Sequence, residues 1–378
     1  MSNSATPPAL PAAQLYIGLM SGTSTDGVDA VAADFSNARQ PRILGQASIA
    51  LPPDLRKELL ALNAPGPNEL ARAHLAANAL ARCYAEAVRR VLQDGGLDAA
   101  RIQGIGAHGQ TVRHDPAAGY TIQLNNPALL AALTGIDVIA DFRSRDVAEG
   151  GQGAPLVPVV HQALFDSERP RVVLNLGGIA NITILEPGAP ARGFDTGPAN
   201  VLLDGWMQEK KGLPYDEDGQ WAATGRVDGA WLDKLVESEP WFALPPPKST
   251  GRDLFNRAWL EHRLRDFARP LRDADVQATL QALTATTIAD AIGRHAPPGI
   301  QDVLVCGGGA FNTGLLRDIR MRVPCPVRPT SELGIPVQSM EALAFAWLAW
   351  AHDAGVHAGQ PSVTGAGRSS PLGCRYPA

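Results

Sequence analysis

Apolar residues gather along this chain in short runs that end on glycine. The first, Leu15-Tyr16-Ile17-Gly18-Leu19-Met20, has the length and content of a buried strand and leads into a glycine-containing turn. From Val28 to Phe35 the side chains alternate, Val28, Ala30 and Ala32 against Asp29, Val31, Ala33 and Phe35, which predicts a second strand. Arg42 to Leu51 reads as a third, so the opening is an antiparallel meander rather than a βαβ unit. Leu70, Ala73, Ala77, Leu80, Tyr84, Val88 and Val91 then recur at helical spacing. This predicts a long helix with Asn68 as N-cap and Gly95-Gly96 as stop. Ile102 to Ala107, Tyr120 to Leu124 and Asp137 to Phe142 read as short buried strands. A helix from Asn126-Pro127 to Thr134 separates the last two.

The texture changes at the turn-rich Gly150-Gly151-Gln152-Gly153-Ala154-Pro155, a natural boundary. Beyond it the opening pattern returns. Arg171 to Leu176 is an apolar strand that ends on Gly177-Gly178, followed by Ile179 to Leu185, a turn, and Ala191 to Asp195. A helix carrying Val276, Leu280, Leu283, Thr287 and Ala291 precedes a third buried strand, Val303 to Cys306, which ends on Gly307-Gly308-Gly309-Ala310. A last helix runs from about Met340 to Trp350 and carries Trp347 and Trp350 into the core. A duplicated unit of this kind predicts an α/β protein of two similar domains with mixed sheets facing each other across a cleft. The expected division is 14–149 with 340–358, and 150–339, with loose termini at 1–13 and 359–378.

Composition narrows the class. With 378 residues, 45% hydrophobic and 19% charged, the chain suits two globular domains and is not disordered. A net charge of -5 gives no reason to expect nucleic acid or an anionic membrane as partner. Cys83, Cys306, Cys325 and Cys374 are scattered and read as reduced thiols, not a zinc site or a disulfide framework. The segment Met1 to Ala13 lacks the basic start and apolar stretch of a signal peptide, and no run approaches the ~20 apolar residues of a membrane helix. A cytoplasmic protein is expected.

The three glycine turns carry the candidate chemistry. In Ser21-Gly22-Thr23-Ser24-Thr25-Asp26-Gly27-Val28-Asp29, glycines allow close backbone approach, and amide and hydroxyl groups make a nest for phosphate oxygens. It is no Walker loop, because GK[ST] is absent and a strand follows. Asn175-Leu176-Gly177-Gly178 is its counterpart in the second unit, and Gly307-Gly308-Gly309 can admit a flat ring or a ribose. One such turn alone reads equally as a polar hairpin; three at strand ends, in this order, form a set.

The set resembles the two phosphate motifs and the adenosine motif of the hexokinase/actin/Hsp70 superfamily. More narrowly, the runs Gly18 to Ser24, Ala107-His108-Gly109-Gln110-Thr111, Ala140 to Arg143, Gly150 to Pro158, Asn175 to Asn181, Phe194 to Asn200 and Cys306 to Ala310 resemble those of the anhydro-N-acetylmuramic acid kinase family. The resemblance implies an actin-like (ribonuclease-H-like) fold and the substrates ATP, water and 1,6-anhydro-N-acetylmuramic acid. The implied products are ADP and N-acetylmuramic acid 6-phosphate, in cell-wall recycling. A homodimer is implied as well.

Opening an anhydro ring is a glycoside hydrolysis in which the sugar's own O6 leaves. Such a reaction ordinarily needs a base and an acid. Here the γ-phosphoryl group replaces the acid by capturing O6, so one carboxylate base suffices. Asp195, before Thr196-Gly197-Pro198, matches the family's catalytic aspartate; taken alone, an aspartate there is more often a turn or cap residue. The tight turn is expected to expose it. Magnesium is expected on the phosphates. Many sugar kinases carry an aspartate where this chain has Met20, which leaves Asp26, Asp29 or Asp195 to reach the metal through water. His108, Gln110 and Arg143 lie beyond strand ends and fit a sugar site, a structural histidine being the alternative at His108. Glu341 opens the last helix as an ordinary first-turn acid would, and the resemblance implies that it reaches the sugar. Arg143 or Arg145 suits the lactyl carboxylate, the plainer alternative being an Asp141–Arg surface pair. Pro245 to Asp253 reads as a structural loop at the cleft rim. The same turns also suit another sugar kinase of the superfamily, or an ATP-driven conformational protein.

Overall fold

The computed structural model describes residues 13–22 and 25–378. The segment 1–12, most of the expected N-terminal tail, lies outside the described residues. Strands β1 (Leu15–Met20), β2 (Gly27–Asp34) and β3 (Arg42–Ala50) form the expected antiparallel meander. β4 (Ile102–Ala107) and β7 (Val138–Ala140) then add in parallel on the other side of β1. The second half repeats the plan: β8 (Arg171–Leu176), β9 (Ile179–Leu185) and β10 (Arg192–Pro198) are antiparallel, and β11 (Val303–Cys306) and β12 (Val327–Pro329) add in parallel to β8. The orders β3-β2-β1-β4-β7 and β10-β9-β8-β11-β12 are the same path walked twice.

Both sheets are covered on both faces, which is why their central strands read as unbroken apolar runs. On β1, Leu15, Ile17 and Leu19 face α2 (Glu69–Gly95) and α3 (Pro127–Thr134), while Tyr16 faces the other way. Between the sheets lie α5 (Val157–Phe165) and α11 (Met340–Asp353), in a core that takes Tyr16 and Val31 from one sheet and Val173 and Leu304 from the other. The far face of the second sheet packs on α9 (Asp273–His295) and α10 (Thr313–Arg320). An aromatic satellite core joins α6 (Asn200–Lys211), α7 (Gly229–Glu237) and α8 (Arg257–Arg265) to α9. Among the described residues no helix is long and apolar enough to cross a membrane.

Helix α11 touches the first sheet backbone to backbone. A Cβ on Gly18 would stand 1.8 Å from the Ala342 carbonyl oxygen, and one on Gly106 would stand 2.0 Å from that of Phe345. Trp347 is buried as expected; Trp350 is half-buried and donates from Nε1 to Gln14 Oε1 at 2.7 Å.

Several local expectations need correction. α1 (Pro53–Ala61) was not foreseen; its amphipathic stretch is short, and only Leu55 and Leu59 are buried. Tyr120 to Leu124 (β6) is no core strand: it pairs with β5 (Gln110–Asp115) in a separate hairpin and exposes Tyr120 and Ile122. Asn68 sits at the N-cap of α2 in the left-handed conformation and its side chain makes no capping bond. The tail from 359 is not loose. It carries α12 (Pro361–Thr364) and β13 (Cys374–Tyr376), and β13 pairs with β7 while Arg375 bridges Asp137 and Asp353. Gly, Ser and Pro spoke for mobility, but an open sheet edge and buried partners hold this segment.

The close seat of α11 yields a prediction. Gly18→Ala should lower unfolding free energy by about 3 kcal/mol or more, since backbone must move to admit the methyl. Gly293→Ala, in α9 with no atom within 4 Å of its added Cβ, should be neutral or stabilising by up to about 1 kcal/mol. Urea unfolding of the two variants side by side measures the difference.

Candidate active site

The first glycine turn connects β1 to β2. Ser21 is buried, Thr25 has a φ of 53° and donates its amide to Gly22 O at 3.1 Å, and Gly27 and Val28 open β2. Thr23 and Ser24 lie outside the described residues. In the second half, Asn175 is the penultimate residue of β8, which ends before Gly177-Gly178. The amides of Ala199, Asn200 and Val201, where α6 begins, donate back to the Gly177 and Gly178 carbonyls at 2.9–3.1 Å. The third turn follows β11. Gly307 has a φ of 83°, and a Cβ there would lie 2.4 Å from Asn175 Oδ1, so the second and third turns interlock through a residue that must be glycine. Gly308 and Gly309 continue as a short 3-10 turn.

The N-terminus of α11 joins these turns. Glu341 accepts from Asn175 Nδ2 at 3.4 Å, and its carboxyl is raised above the usual range by burial and by the charges of Asp29 and Asp26. Asp29 is raised by burial and by Asp26. Asp204, on α6, is pushed up to about 7 by burial and by Asp26 and Asp216, against the pull of Arg252. The field of Asp26 thus reaches three further carboxyls, two from the first meander and α11 and one from the second half. Asp204 was not singled out in the sequence. It stands four residues after Asn200, one helical turn along α6, and that spacing is the signal that marks it.

His108, Gln110 and Arg143 also come together. Arg143 Nε donates to His108 Nε2 at 3.0 Å, and its Nη1 to Gly153 O at 2.7 Å. His108 is held neutral: burial and the guanidinium drive its pKa well below normal, and its ring lies 4.6 Å from that of Phe345. Burial lowers Arg143 itself to about 10, against the charges of Glu341 and Asp146. It is not paired with Asp141 at the surface; that aspartate caps Ser144. Arg145 pairs with Glu149 instead, at 3.0 Å. Gln110 is buried and accepts from Ser21 Oγ at 2.6 Å, which ties this group to the first turn. Tyr84 of α2 fixes the Gly109 amide at 3.0 Å. Beside Gly109, both amide atoms of Asn125 are buried without a hydrogen-bond partner. Only the pairing of β5 with β6 brings Asn125 there, so the sequence gives no hint of it.

Asp195 does not precede a tight turn and is not exposed on one. It lies within β10, opposite Asn181, where Thr196 is an inserted residue that bulges the strand. Its Oδ2 accepts from Thr250 N at 2.8 Å and Ser249 Oγ at 3.0 Å. Burial raises its carboxyl to about 6, opposed by these two bonds and by Lys248. The 245–253 loop, expected to be structural, therefore touches the candidate base directly. A carboxylate near 6 is ionised in neutral solution yet basic enough to take a proton.

Among the described residues, no group of three or more His, Cys, Asp or Glu side chains is close enough to hold a metal ion unaided. The cysteines are free, and burial and the charge of Glu341 hold the Cys306 thiol protonated.

A family model described as anhydro-N-acetylmuramic acid kinase matches residues 14–378. A protein of Bordetella pertussis (strain Tohama I) bearing that name is 60% identical over 366 residues, 97% of this chain and 96% of its own. One of Bordetella petrii, of the same name, is 57% identical over 379 residues and covers 100% of both. Among solved structures, the ADPNP-bound activator of the 2-hydroxyisocaproyl-CoA dehydratase from Clostridium difficile matches 89% of this chain and 94% of its own. That match has a TM-score of 0.46 and 14% identity.

The raised carboxyl of Asp195 has a consequence for stability. Between pH 3.8 and about 6 the unfolded chain ionises this group while the folded chain keeps it protonated, so stability falls as pH rises through that window. Asp195→Asn should therefore be as stable as the parent near pH 4 and more stable above pH 6, by thermal unfolding. An equal difference at both ends of the range contradicts the raised carboxyl.

Proposed function

The chain belongs to the anhydro-N-acetylmuramic acid kinase family, and from this we propose that it hydrolyses and phosphorylates 1,6-anhydro-N-acetylmuramic acid in one ATP-dependent reaction of cell-wall recycling. The observation that carries the mechanism is Asp195: a single half-buried carboxylate with a pKa near 6, held on a strand bulge beside the second glycine turn. Its free lone pairs take a proton from a water that attacks the anomeric carbon. The C1–O6 bond breaks, O6 forms a bond to the γ-phosphorus, and the bond from that phosphorus to the bridging oxygen breaks to release ADP. No second carboxyl is needed as acid, because O6 leaves onto phosphorus rather than onto a proton.

The remaining residues bind and orient. Backbone amides and hydroxyls of the Gly22–Asp29 turn and of Gly177-Gly178 suit the phosphates. Gly307 to Gly309 suit the nucleoside, with Asn175 joining the turns. Arg143 suits the lactyl carboxylate, and neutral His108, Gln110, Asn125 and Glu341 offer donors and acceptors to the sugar. The described residues form no metal-holding group by themselves, so magnesium would be carried chiefly by the phosphates, with the hard oxygens of Asp26 and Asp29 reaching it through water. Bound there with ATP, magnesium would neutralise charge on the β- and γ-phosphates.

The proposed division is 14–149 with 340–358 and 150–339, with β13 added to the first sheet, and closure of the two parts on the substrates would exclude bulk water. A cytoplasmic homodimer fits the supply of ATP and the family.

Asp195→Asn should lower kcat about 100-fold or more while ATP affinity is kept, measured by coupled ADP release and by calorimetry. In the parent, kcat/KM for the sugar should rise with pH through an apparent pKa of about 6 and then level. Near-parental turnover in the variant removes Asp195 as base.

A further inference from the structure

The loop 245–253 makes three consecutive contacts with one residue. Lys248 O accepts from the Asp195 amide at 3.1 Å, Ser249 Oγ donates to Asp195 Oδ2 at 3.0 Å, and Thr250 N donates to the same oxygen at 2.8 Å. Backbone and side chain of Asp195 are thus both gripped, and both side-chain bonds fall on Oδ2. A carboxylate offers about four lone-pair directions. Spending two on Oδ2 leaves Oδ1 as the oxygen that meets water.

The grip has a firm base. Pro245, Pro246 and Pro247 restrict the loop backbone. Lys248 Nζ donates to the carbonyls of Trp241 and Phe242 at 3.3 and 3.0 Å and lies 4.2 Å over the Trp241 ring. Trp241 Nε1 donates to Ser249 O at 3.2 Å. The Trp241 and Phe242 rings pack on Phe255, which packs in turn on Trp259, at centroid distances of 5.4–5.7 Å. Ser249 is held from both sides, so its hydroxyl has little freedom to leave Asp195.

We propose that Ser249 is a positioning residue for the hydrolytic half of the reaction: with the Thr250 amide it locks Asp195 Oδ2 and aims Oδ1 at the attacking water. This rests on the reading of Asp195 as base. The Thr250 bond is a backbone bond and survives any substitution at 249. Without the hydroxyl, one tether remains, and the carboxylate can swing about it.

The other charged groups around Asp195 are accounted for. Lys248 opposes its protonation from the same loop. On α9, Asp290, Arg294 and His295 line a small cavity with Lys248, Phe194 and Thr196.

The experiment compares Ser249→Ala, Ser249→Thr and Asp195→Asn in the full chain. Ser249→Ala should lose about tenfold in kcat, with KM for ATP and sugar within about twofold of the parent. The acid limb of its rate profile should move to higher pH, because a bond that favours the ionised carboxylate is gone. Ser249→Thr keeps a hydroxyl and should restore both rate and limb. If Ser249→Ala matches the parent in rate and limb while Asp195→Asn is inactive, the positioning role is overturned and the base stands. If Asp195→Asn is active, both fall. If Ser249→Ala is merely less stable, with kcat and limb unmoved at a temperature where it is folded, the role is structural and the proposal is again overturned.

Discussion

The backbone of α11 lies against the backbones of β1 and β4 with no space for a methyl group at Gly18 or Gly106. That close approach governs much else. It sets the helix deep enough to share one core with both sheets, so the two halves are packed onto a single helix rather than hung from a linker. It also fixes where the helix begins. Glu341 arrives between the first and second glycine turns, and Phe345 arrives against the His108 ring. Side chains larger than hydrogen at either glycine would lift α11 and separate residues that belong to one site.

Charge is arranged in the site with two purposes. Around Asp26 the carboxyls oppose each other, which raises Asp29, Asp204 and Glu341. Around Asp195 a single carboxyl is buried against its preference, then partly compensated by two hydrogen bonds and one ammonium group. The balance leaves it ionised at neutral pH yet far more basic than an exposed aspartate. Its raised carboxyl costs stability at neutral pH relative to an exposed aspartate.

Much of the fold was legible because the apolar runs are nearly pure. β1, β3, β4, β8 and β11 fall at or within a residue of the ends expected from pattern alone, and the repeated strand-glycine-strand order announced the duplication. What escaped was set by tertiary partners. The β5–β6 hairpin, the ordered tail and the αL Asn68 each depend on a neighbour distant in sequence. In the site, the glycine turns stood out as a set of three, whereas Asp195 was marked only by the family resemblance. Asp204 needed the helical period of α6. Ser249, Thr250 and Asn125 had no local signature, because loop 245–253 and β10 meet only through the packing of α8 and its aromatic cluster.

The coupling of ring opening to phosphoryl transfer is the central chemical claim, and oxygen isotope tracing tests it most directly. A single turnover with ATP and 1,6-anhydro-N-acetylmuramic acid in ¹⁸O-water, quenched before anomeric exchange, should give a sugar phosphate with one ¹⁸O at the anomeric carbon. The phosphoryl group should carry none. A product heavier by phosphate alone, with the anhydro ring intact, or label in released phosphate, contradicts the account.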